Sequence, residues 1–378
     1  MSRILYVATS DIHLKTFHVP YLEWLVGEGH TVDIVAEHRG GLTFDCVSRS
    51  HWLPFPRTLA SFQHFRTLRR LRQIVDGGRY DLIHCHTPIP SALTRIAARK
   101  WRKRGGKVLY TAHGFHFYRG GPLINWLTYY PAEWLLSSFT DAIITINRED
   151  YGYVKGKMWH KHSYLIPGIG VQPHRFRSLA EGQKREMRRE LGYADDDFLM
   201  LYIAEFIPRK NHRFLIGAIE ELVKTIPKLR CLLAGAGTML DSAQAEAERL
   251  GITAHVQFLG FRMDIEKYAA IADVGVSTSK HEGLGLGLLE QMLCEVTVVA
   301  SEDKGHREFV EDGMTGFLYR QGDQSAFVEA IARLYRDRGL RKKMGELAMQ
   351  KASQFSLDYS LVKMKEIYRY YLHECDRP

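Results

Sequence analysis

At 378 residues the chain is longer than one ordinary hydrophobic core, so we expect two domains. Its 45% hydrophobic and 25% charged residues exclude a disordered or collagen-like chain. The five cysteines form no CxxC pair, which argues against a zinc finger or a disulfide scaffold and favours a reducing compartment. These cysteines are Cys46, Cys85, Cys231, Cys294 and Cys375.

Positive charge is concentrated in the first half. Residues 1–178 carry 24 Lys and Arg against 12 Asp and Glu, a balance of +12, whereas the remainder carries 28 against 31, a balance of −3. A basic half suggests an anionic partner, such as a membrane surface, a lipid phosphate or a nucleic acid. The first residues turn polar too soon for a signal peptide, and no apolar run is long enough to span a bilayer, so we expect a cytoplasmic protein.

Apolar runs alternate with helical patterns through the first half and predict a doubly wound α/β domain. A helix is predicted over 17–29, ended by Gly29, and the preceding segment 10–16 is predicted as a loop. The predicted strands are 3–9, 31–36, 81–86, 107–112, 141–146 and 164–167.

Basic and aromatic residues dominate the middle of this half. Residues 52–78 combine aromatics with arginines in a basic amphipathic pattern, and 95–107 hold seven basic residues and no acid. Residues 115–139 contain eight aromatic side chains. Together these segments predict that residues 52–135 bind an anionic membrane surface or form a groove for a lipid acceptor. Packing of the aromatics in a core is an almost equal alternative.

Several histidines lie near predicted strand ends. His84 and His86 share one face of a strand, but two histidines without a third placed ligand are usually structural rather than metal-binding. His13 and His18 are interpreted as surface residues, with an acceptor-site role as the alternative. His113 follows the strand 107–112 directly, where doubly wound folds bind ligands; a core histidine is the alternative.

The second half repeats the α/β pattern. Its predicted strands are 198–204, 229–234, 256–259, 274–277 and 296–300. Between the last two strands, Gly283, Gly285 and Gly287 leave backbone N–H groups uncovered at a helix N-terminus, which favours phosphate. Glu282 before the helix and Glu290 inside it could accept hydrogen bonds from two sets of sugar hydroxyls. This arrangement is typical of a sugar-nucleotide site.

The segment EGLGLGLLEQM, with the spacing Glu282-x7-Glu290, resembles the donor-site motif of the retaining glycosyltransferases of family 4. The segment Gly305-His306-Arg307-Glu308 is closest to the form found in bacterial exopolysaccharide and capsule glycosyltransferases. The resemblance implies the GT-B fold, an α/β architecture of two Rossmann-like doubly wound domains facing a cleft. It implies an acceptor-binding domain over 1–170, a nucleotide-sugar-binding domain over 171–356, and a final helix, 357–378, that returns to the first domain.

The resemblance also implies roles for individual residues. Glu282 holds the sugar hydroxyls, Glu290 holds the ribose, and Lys210 with Arg209 clamps the diphosphate. His113, in Thr111-Ala112-His113-Gly114, contacts the donor sugar. The other implied donor-binding residues are Gly235, Phe261, Arg262, Gly283, Leu284, Gly285, Leu286 and Gly287. The chain departs from the family pattern at Ala204-Glu205, where a Gly-Arg pair is usual, and at 10–16, where a glycine pair is common.

The implied reaction is retaining transfer of a hexose or N-acetylhexosamine from a nucleotide sugar, with UDP as the usual base, to a lipid-linked or saccharide acceptor. No cofactor and no metal are expected, because fixed cations and a helix dipole replace the metal. An epimerase or phosphorylase of the same fold is one alternative. The incomplete dinucleotide-binding motif at Gly235–Leu240 suggests a second alternative, a dinucleotide-dependent oxidoreductase. A third is a non-enzymatic basic module that binds membranes or nucleic acid, although no nucleic-acid partner is expected.

Overall fold

The computed structural model describes residues 1–56, 58 and 61–374. The chain forms two compact units: Met1–Ile169 together with the segment from Asp358 onward, and Gly170–Leu357. Each unit is built around one parallel sheet with helices packed against it. The four cysteines that the structure describes are free thiols, and Cys375 lies outside the described residues.

The first unit contains a seven-stranded parallel sheet of order β3-β2-β1-β4-β5-β6-β7. Its strands are β1 Arg3–Ser10, β2 Thr31–Glu37, β3 Arg49–Trp52, β4 Leu82–His86, β5 Lys107–Ala112, β6 Ala142–Thr145 and β7 His162–Leu165. Its helices are α1 Asp11–Phe17, α2 Val19–Gly27, α3 Gln63–Gly77, α4 Pro88–Arg102, α5 Leu123–Ser137, α6 Arg148–Lys157 and α14 Leu357–Glu374.

The second unit contains a six-stranded parallel sheet of order β10-β9-β8-β11-β12-β13. Its strands are β8 Phe198–Ile203, β9 Leu229–Ala234, β10 Val256–Gly260, β11 Val274–Ser277, β12 Thr297–Ser301 and β13 Gly316–Tyr319. Its helices are α7 Glu181–Glu190, α8 His212–Leu222, α9 Leu240–Arg249, α10 Ile265–Ile271, α11 Leu286–Leu293, α12 Gln324–Arg336 and α13 Arg338–Ser353.

The central strands are buried along nearly their whole length. Every residue of β4, β11 and β12 is buried, and so are six of the eight residues of β1. Strands covered by helices on both faces need apolar side chains on both faces, so their sequences read as continuous apolar runs. This is why the strand predictions made from apolar runs lie within a few residues of the observed bounds.

The last helix, α14, packs into the first unit. The Tyr368 hydroxyl lies 2.5 Å from Nδ1 of His84, and the Tyr371 hydroxyl lies 2.7 Å from Nδ1 of His162. Both tyrosines are buried, so the helix completes the core of this unit. The expectation that the final helix returns to the first domain is confirmed.

The chain enters and leaves the second unit at neighbouring residues. Val171 forms an isolated bridge with Ser356, and Leu357 N–H donates to the carbonyl of Val171. Gly170 has φ +87°, and a Cβ on it would lie 2.3 Å from Cα of Leu357. Only glycine fits this close approach.

Segment 10–16, predicted as a loop, is helical instead. Ser10 caps α1 by accepting a hydrogen bond from His13 N–H. The buried Asp11 carboxylate accepts hydrogen bonds from the backbone N–H groups of Arg39, Gly40 and Leu42. The predicted loop is therefore a helix that starts directly after β1. Asp11 ties this helix to the loop that follows β2.

Part of the basic and aromatic segment belongs to the core rather than to a surface. Phe115 and Phe117 are buried and stacked 4.8 Å apart. Arg95 is buried and donates to Glu133 at 2.8 Å, with its guanidinium 4.2 Å from the Tyr110 ring. The interpretation of these aromatics as a membrane patch is therefore wrong, and the core alternative holds for them. Within the part of the chain that the structure describes, every helix is too short or too polar to cross a membrane.

Candidate active site

The second sheet reverses its winding at β8, which lies between β9 and β11. In a doubly wound sheet, ligands bind outside the carboxyl ends of the strands at such a switch point. The segments that follow β8 and β11 contain Arg209, Lys210 and Glu282. The fold therefore places these charged residues at the edge where a ligand is expected.

Hydrogen bonds from neighbouring side chains fix the turn that carries the two cations. The 3-10 turn Pro208–Lys210 follows β8. The carbonyl of Lys210 accepts from the Tyr202 hydroxyl at 2.7 Å and from the Thr278 hydroxyl at 3.0 Å. Lys280 N–H donates to the carbonyl of Arg209 at 2.9 Å. The turn is thus tied through its backbone carbonyls to the segment after β11, which fixes the positions from which both cations project.

Arg209, Lys210 and Glu282 form a cation–carboxylate cluster. Lys210 Nζ donates a short hydrogen bond to Oε1 of Glu282, and Arg209 Nη1 donates to Oε2 at 3.0 Å. The Lys210 and Glu282 side chains are only 16% and 9% exposed, whereas Arg209 is 42% exposed. Two cations and one carboxylate leave a net charge of +1 at this edge of the sheet.

The electrostatics of Glu282 are set by these cations. Burial alone raises the pKa of a carboxyl group, but attraction to Lys210, Arg209 and then His306 outweighs it and holds the pKa of Glu282 well below its usual range. Glu282 is therefore ionised across the physiological pH range. It can accept hydrogen bonds from hydroxyl groups but cannot donate a proton.

Helix α11 begins immediately after the cluster, at the glycine-rich loop. Its N-cap, Gly285, has φ +104°, and a Cβ on Gly287 would lie 2.9 Å from the carbonyl oxygen of Ile203. The loop therefore needs glycine for its conformation at one position and for packing on β8 at the other. Its residues Gly283, Leu284, Gly285 and Leu286 lead into the helix, whose N-terminal N–H groups and dipole favour an anion.

A buried pair, Asp303 and His306, lies beneath this loop. His306 Nδ1 lies 2.8 Å from the carbonyl oxygen of Ser301, and its Nε2 has no hydrogen-bond partner among the described residues. A Cβ on Gly285 would be 3.2 Å from this Nε2. Burial raises the pKa of Asp303, which accepts from His306 N–H at 2.8 Å. His306 stands in the Gly305-His306-Arg307-Glu308 motif, but the sequence alone predicted no role for it.

Glu290 lies in the second turn of α11 and is half-buried. Burial raises its pKa to about 7; Arg175 opposes this shift and Glu266 adds to it. Arg175 and Glu266 form an ion pair at 2.9 Å. Within the described part of the chain, the Glu290 carboxyl makes no hydrogen bond. It is therefore available to accept hydroxyl groups from a ligand.

The remaining predicted donor-binding residues lie at the carboxyl ends of β9 and β10. Gly235 has φ +151°, and a Cβ there would lie 2.0 Å from the carbonyl oxygen of Ala204, so the backbone passes close to the end of β8. Phe261 is 75% exposed. Arg262 donates two hydrogen bonds to Asp264, at 2.7 and 2.8 Å, and its guanidinium lies 5.2 Å from the Tyr268 ring. Arg262 is therefore held by its neighbours, whereas Phe261 is free to contact a ligand.

In the first unit, His113 is one member of a histidine cluster that comprises His13, His18, His86 and His113. Its Nε2 lies 3.2 Å from Nδ1 of His86, and His13 and His18 approach each other at 3.1 Å between Nε2 atoms. His18 is buried and His13 is half-buried, so the interpretation of these two as surface residues is wrong. They lie in α1 and directly after it, and α1 follows the end of β1 at the switch point of the first sheet.

Burial keeps these imidazoles neutral at pH 7. It lowers the pKa of His13 to about 4, and it holds the pKa of His18, His86 and His113 well below the usual range of histidine. The neighbouring His84 is fixed on both sides, with Nδ1 near the Tyr368 hydroxyl and Nε2 2.8 Å from the Thr111 hydroxyl. His84 is therefore a structural residue.

Two doubly wound units, the second with fixed cations beside a glycine-lined helix start, define the GT-B class of glycosyltransferases. The model for glycosyl transferases group 1 matches residues 183–351, and the model for glycosyltransferase family 4 matches residues 21–167. The chain is 41% identical to EpsD of Bacillus subtilis (strain 168) over 98% of its own length and 97% of that protein, whose name assigns it provisionally to the glycosyltransferases. The chain belongs to this glycosyltransferase family.

More distant proteins share the whole length of the fold. An Escherichia coli enzyme named UDP-Gal:alpha-D-GlcNAc-diphosphoundecaprenol alpha-1,3-galactosyltransferase is 24% identical, over 92% of this chain and 90% of its own. The crystal structure of Anabaena HepE in complex with UDP and glucose superposes with a TM-score of 0.79 at 20% identity, covering 99% of this chain and 100% of that one. WaaG, described as a glycosyltransferase of lipopolysaccharide biosynthesis, superposes with a TM-score of 0.75 at 16% identity, covering 96% and 99%. The GT-B fold is confirmed.

Proposed function

We propose that this glycosyltransferase transfers a hexose or N-acetylhexosamine from a UDP-sugar, with retention of configuration, to a lipid-linked or saccharide acceptor in the synthesis of a cell-surface glycan. The observation that carries the proposal is the cation–carboxylate cluster at the switch point of the second sheet, beside the N-terminus of α11. Such a site binds a diphosphate and a hydroxylated group side by side. A nucleotide sugar contains both.

The two cations would stabilise the leaving group. In the proposed step the acceptor hydroxyl oxygen bonds to the anomeric carbon while the bond from that carbon to the diphosphate oxygen breaks. The acceptor proton passes to the departing diphosphate on the same face of the sugar. Lys210, Arg209 and the helix N-terminus would compensate the negative charge that develops on the diphosphate, and no metal ion is required in this step.

The carboxylates and the histidine would position the substrate. Ionised Glu282 would accept hydrogen bonds from the sugar hydroxyls, and Glu290 from the ribose hydroxyls. His113, which follows β5, would contact the transferred sugar through a neutral ring nitrogen, the role that the family resemblance implies. Exposed Phe261 would stack on the base, with Arg262 beside it and Gly235 allowing close approach of the backbone.

The choice of UDP is supported by the relatives. HepE binds UDP and glucose in its crystal structure, and the Escherichia coli relative carries a UDP-galactose donor and a diphosphoundecaprenol acceptor in its name. For this chain we take the same base and a saccharide acceptor, attached to a lipid. A lipid-linked acceptor would place the enzyme at the inner face of the membrane.

Protection from thermal unfolding by nucleotides tests the donor assignment. We expect UDP to raise the unfolding temperature more than GDP, ADP or NAD, and we expect the rise to survive EDTA. Incubation with a panel of UDP-sugars and lipid-diphosphate acceptors then tests transfer, and NMR of the new linkage tests retention. Protection by NAD alone, or an isomerised sugar without transfer, contradicts the proposal.

The raised pKa of Glu290 predicts a pH dependence of UDP affinity. Hydroxyl groups bind better to a carboxylate than to a carboxylic acid, so affinity should fall up to about tenfold as the pH falls from 8 to 6. UDP itself titrates near this range, and Glu290→Gln supplies the background because the nucleotide is common to both proteins. In calorimetric titrations of Glu290→Gln, we expect UDP affinity to fall with pH only by the part that the titration of UDP itself causes.

The same substitution has a predictable effect on stability. A folded-state pKa above the unfolded value of 4.5 means that Glu290 favours folding below pH 4.5 and loses that contribution as the pH rises through 7. Glu290→Gln should therefore raise the unfolding temperature at pH 8 and change it little at pH 5. An equal pH profile of UDP affinity in both proteins would remove Glu290 from the donor site.

Membrane association is proposed through the first unit. Three aliphatic side chains of α5, Leu123, Ile124 and Leu127, are 72%, 62% and 66% exposed. Helices α3, α4 and α5 pack side by side, and α3 presents exposed Phe65 together with exposed arginines. Exposed apolar groups on a strongly basic unit fit an anionic lipid surface.

We expect the protein to co-sediment with vesicles that contain phosphatidylglycerol at low salt, and to be released by high salt. The triple substitution Leu123→Ser, Ile124→Ser and Leu127→Ser should lower the bound fraction at least fivefold. Met314→Ser removes a comparably exposed apolar side chain from the second unit and serves as the control. Equal sedimentation of the triple variant and the wild type would contradict a docking role for α5.

A further inference from the structure

The histidine cluster of the first unit brings together more imidazoles than the transfer step uses. His13, His18 and His113 each offer one ring nitrogen, and these three atoms lie within 4.8 Å of one another. They come from two places in the chain: His13 and His18 lie five residues apart at α1, and His113 lies in the segment after β5. The fold, rather than a short sequence motif, assembles them.

We propose that His13, His18 and His113 form a binding site for a divalent transition-metal ion, with Zn²⁺ as its ligand. Zinc binds imidazole nitrogen at about 2.0–2.1 Å, so two nitrogens on one tetrahedral ion lie about 3.3 Å apart. The Nε2 atoms of His13 and His18 are 3.1 Å apart. The third nitrogen, on His113, lies within 4.8 Å of both, so its ring must move toward them to reach the same ion.

Neighbouring groups orient these rings as outer partners orient ligands in metal sites. His18 Nδ1 lies 2.8 Å from the buried Tyr6 hydroxyl, which leaves Nε2 as the nitrogen directed at His13. His86 Nδ1 lies 3.2 Å from His113 Nε2 and steadies that ring. The partners of two of the three proposed ligands are therefore already in place.

A second observation points to a ligand at the same place. His86 is buried, yet its Nε2 has no hydrogen-bond partner among the described residues. A buried polar atom without a partner is costly, so the cluster as it stands lacks a group that would satisfy this nitrogen. The ring centroids of His86 and His18 are 4.3 Å apart, so His86 lies against the proposed ligands. His13 and His113 are half-buried, which leaves the site open to solvent.

Direct metal binding tests the proposal without any measurement of transfer. The full-length chain, free of any histidine tag, is stripped with chelator, desalted and titrated with Zn²⁺ in competition with a chromophoric chelator. We expect one equivalent to bind to the wild type and at least a tenfold loss of affinity in His13→Asn. His174→Asn removes an exposed histidine of the second unit and should bind like the wild type.

Spectroscopy of the wild type covers the case in which a cluster variant misfolds. Co²⁺ in a tetrahedral nitrogen site gives strong visible d–d absorption, which Zn²⁺ should displace. X-ray absorption of the zinc-loaded protein should show three imidazole ligands. A ligand shell dominated by oxygen, or equal binding by the wild type and His13→Asn, overturns the proposal.

One consequence rests on the proposed function of His113. A His113 ring that is bound to zinc could not contact the donor sugar. The rate of sugar transfer should therefore fall as zinc occupies the site and recover when chelator is added. The extent of inhibition should follow the occupancy measured in the binding titration. Binding without inhibition leaves the metal site standing and removes His113 from the transfer step, so the two proposals fail separately.

Discussion

Replacement of Lys210 by alanine should lower kcat about 100-fold. The ammonium group is mostly buried and donates to Glu282, and the Lys210 carbonyl is held by the Tyr202 and Thr278 hydroxyls. Loss of one preorganised group that stabilises developing charge typically costs 10²–10³ in rate. Because UDP carries the same diphosphate, its affinity should fall as well, in calorimetry, by at least tenfold.

The control for this change is Arg213→Ala. Arg213 lies three residues further along, is 87% exposed and, among the described residues, makes one long ionic contact, with Glu246 at 3.8 Å. Its removal takes away one positive charge but no part of the cluster, so rate and UDP affinity should stay within about twofold of the wild type. A Lys210→Ala enzyme that also turns over within twofold of the wild type would exclude Lys210 from the mechanism.

Glu282→Gln should separate sugar positioning from diphosphate binding. The carboxylate would hold the sugar hydroxyls, so an amide that both donates and accepts should lower kcat at least tenfold. The same carboxylate shares Lys210 and Arg209 with the diphosphate, and its neutralisation releases both cations. UDP affinity should therefore hold or rise while turnover falls, which is the opposite of the Lys210→Ala result.

Steady-state rates with UDP-sugar and calorimetry with UDP measure the two effects. Glu302→Gln, a half-exposed acid of the same unit that contacts Arg307, is the matched control and should change neither quantity by more than about twofold. Circular dichroism establishes that each variant is folded. If Glu282→Gln weakens UDP as much as Lys210→Ala does, Glu282 acts only by orienting the cations.

The second unit was predictable because its signals are local. The glycines of the loop, the two glutamates and the basic pair lie within short segments between buried strands, and parallel strands bring their carboxyl ends to one edge. The ion pairing of Lys210 with Glu282 was not predictable, because 72 residues separate them and only the switch point makes them neighbours. The raised pKa of Glu290 likewise depends on packing that no local pattern encodes.

The first unit shows what the sequence could not reveal. Arg95 belongs to a run of basic residues and was counted with the surface charge, yet it pairs with Glu133 across the core. The histidine cluster draws on three separate segments, so spacing along the chain gave no signal for it. Asp11 directly follows the first strand and looks like a loop residue, but it is the first residue of α1 and accepts hydrogen bonds from the N–H groups of Arg39, Gly40 and Leu42.

The return of α14 to the first unit imposes an order on folding during synthesis. Residues 170–357 are contiguous, so their core can close once the ribosome has released them. The strands of the first unit are synthesised first. Its core cannot be completed, however, until Tyr368 and Tyr371, the partners of His84 and His162, have been synthesised. The half synthesised earliest therefore finishes last. A premature stop just before α14 should consequently damage the distant amino-terminal half and spare the half beside it.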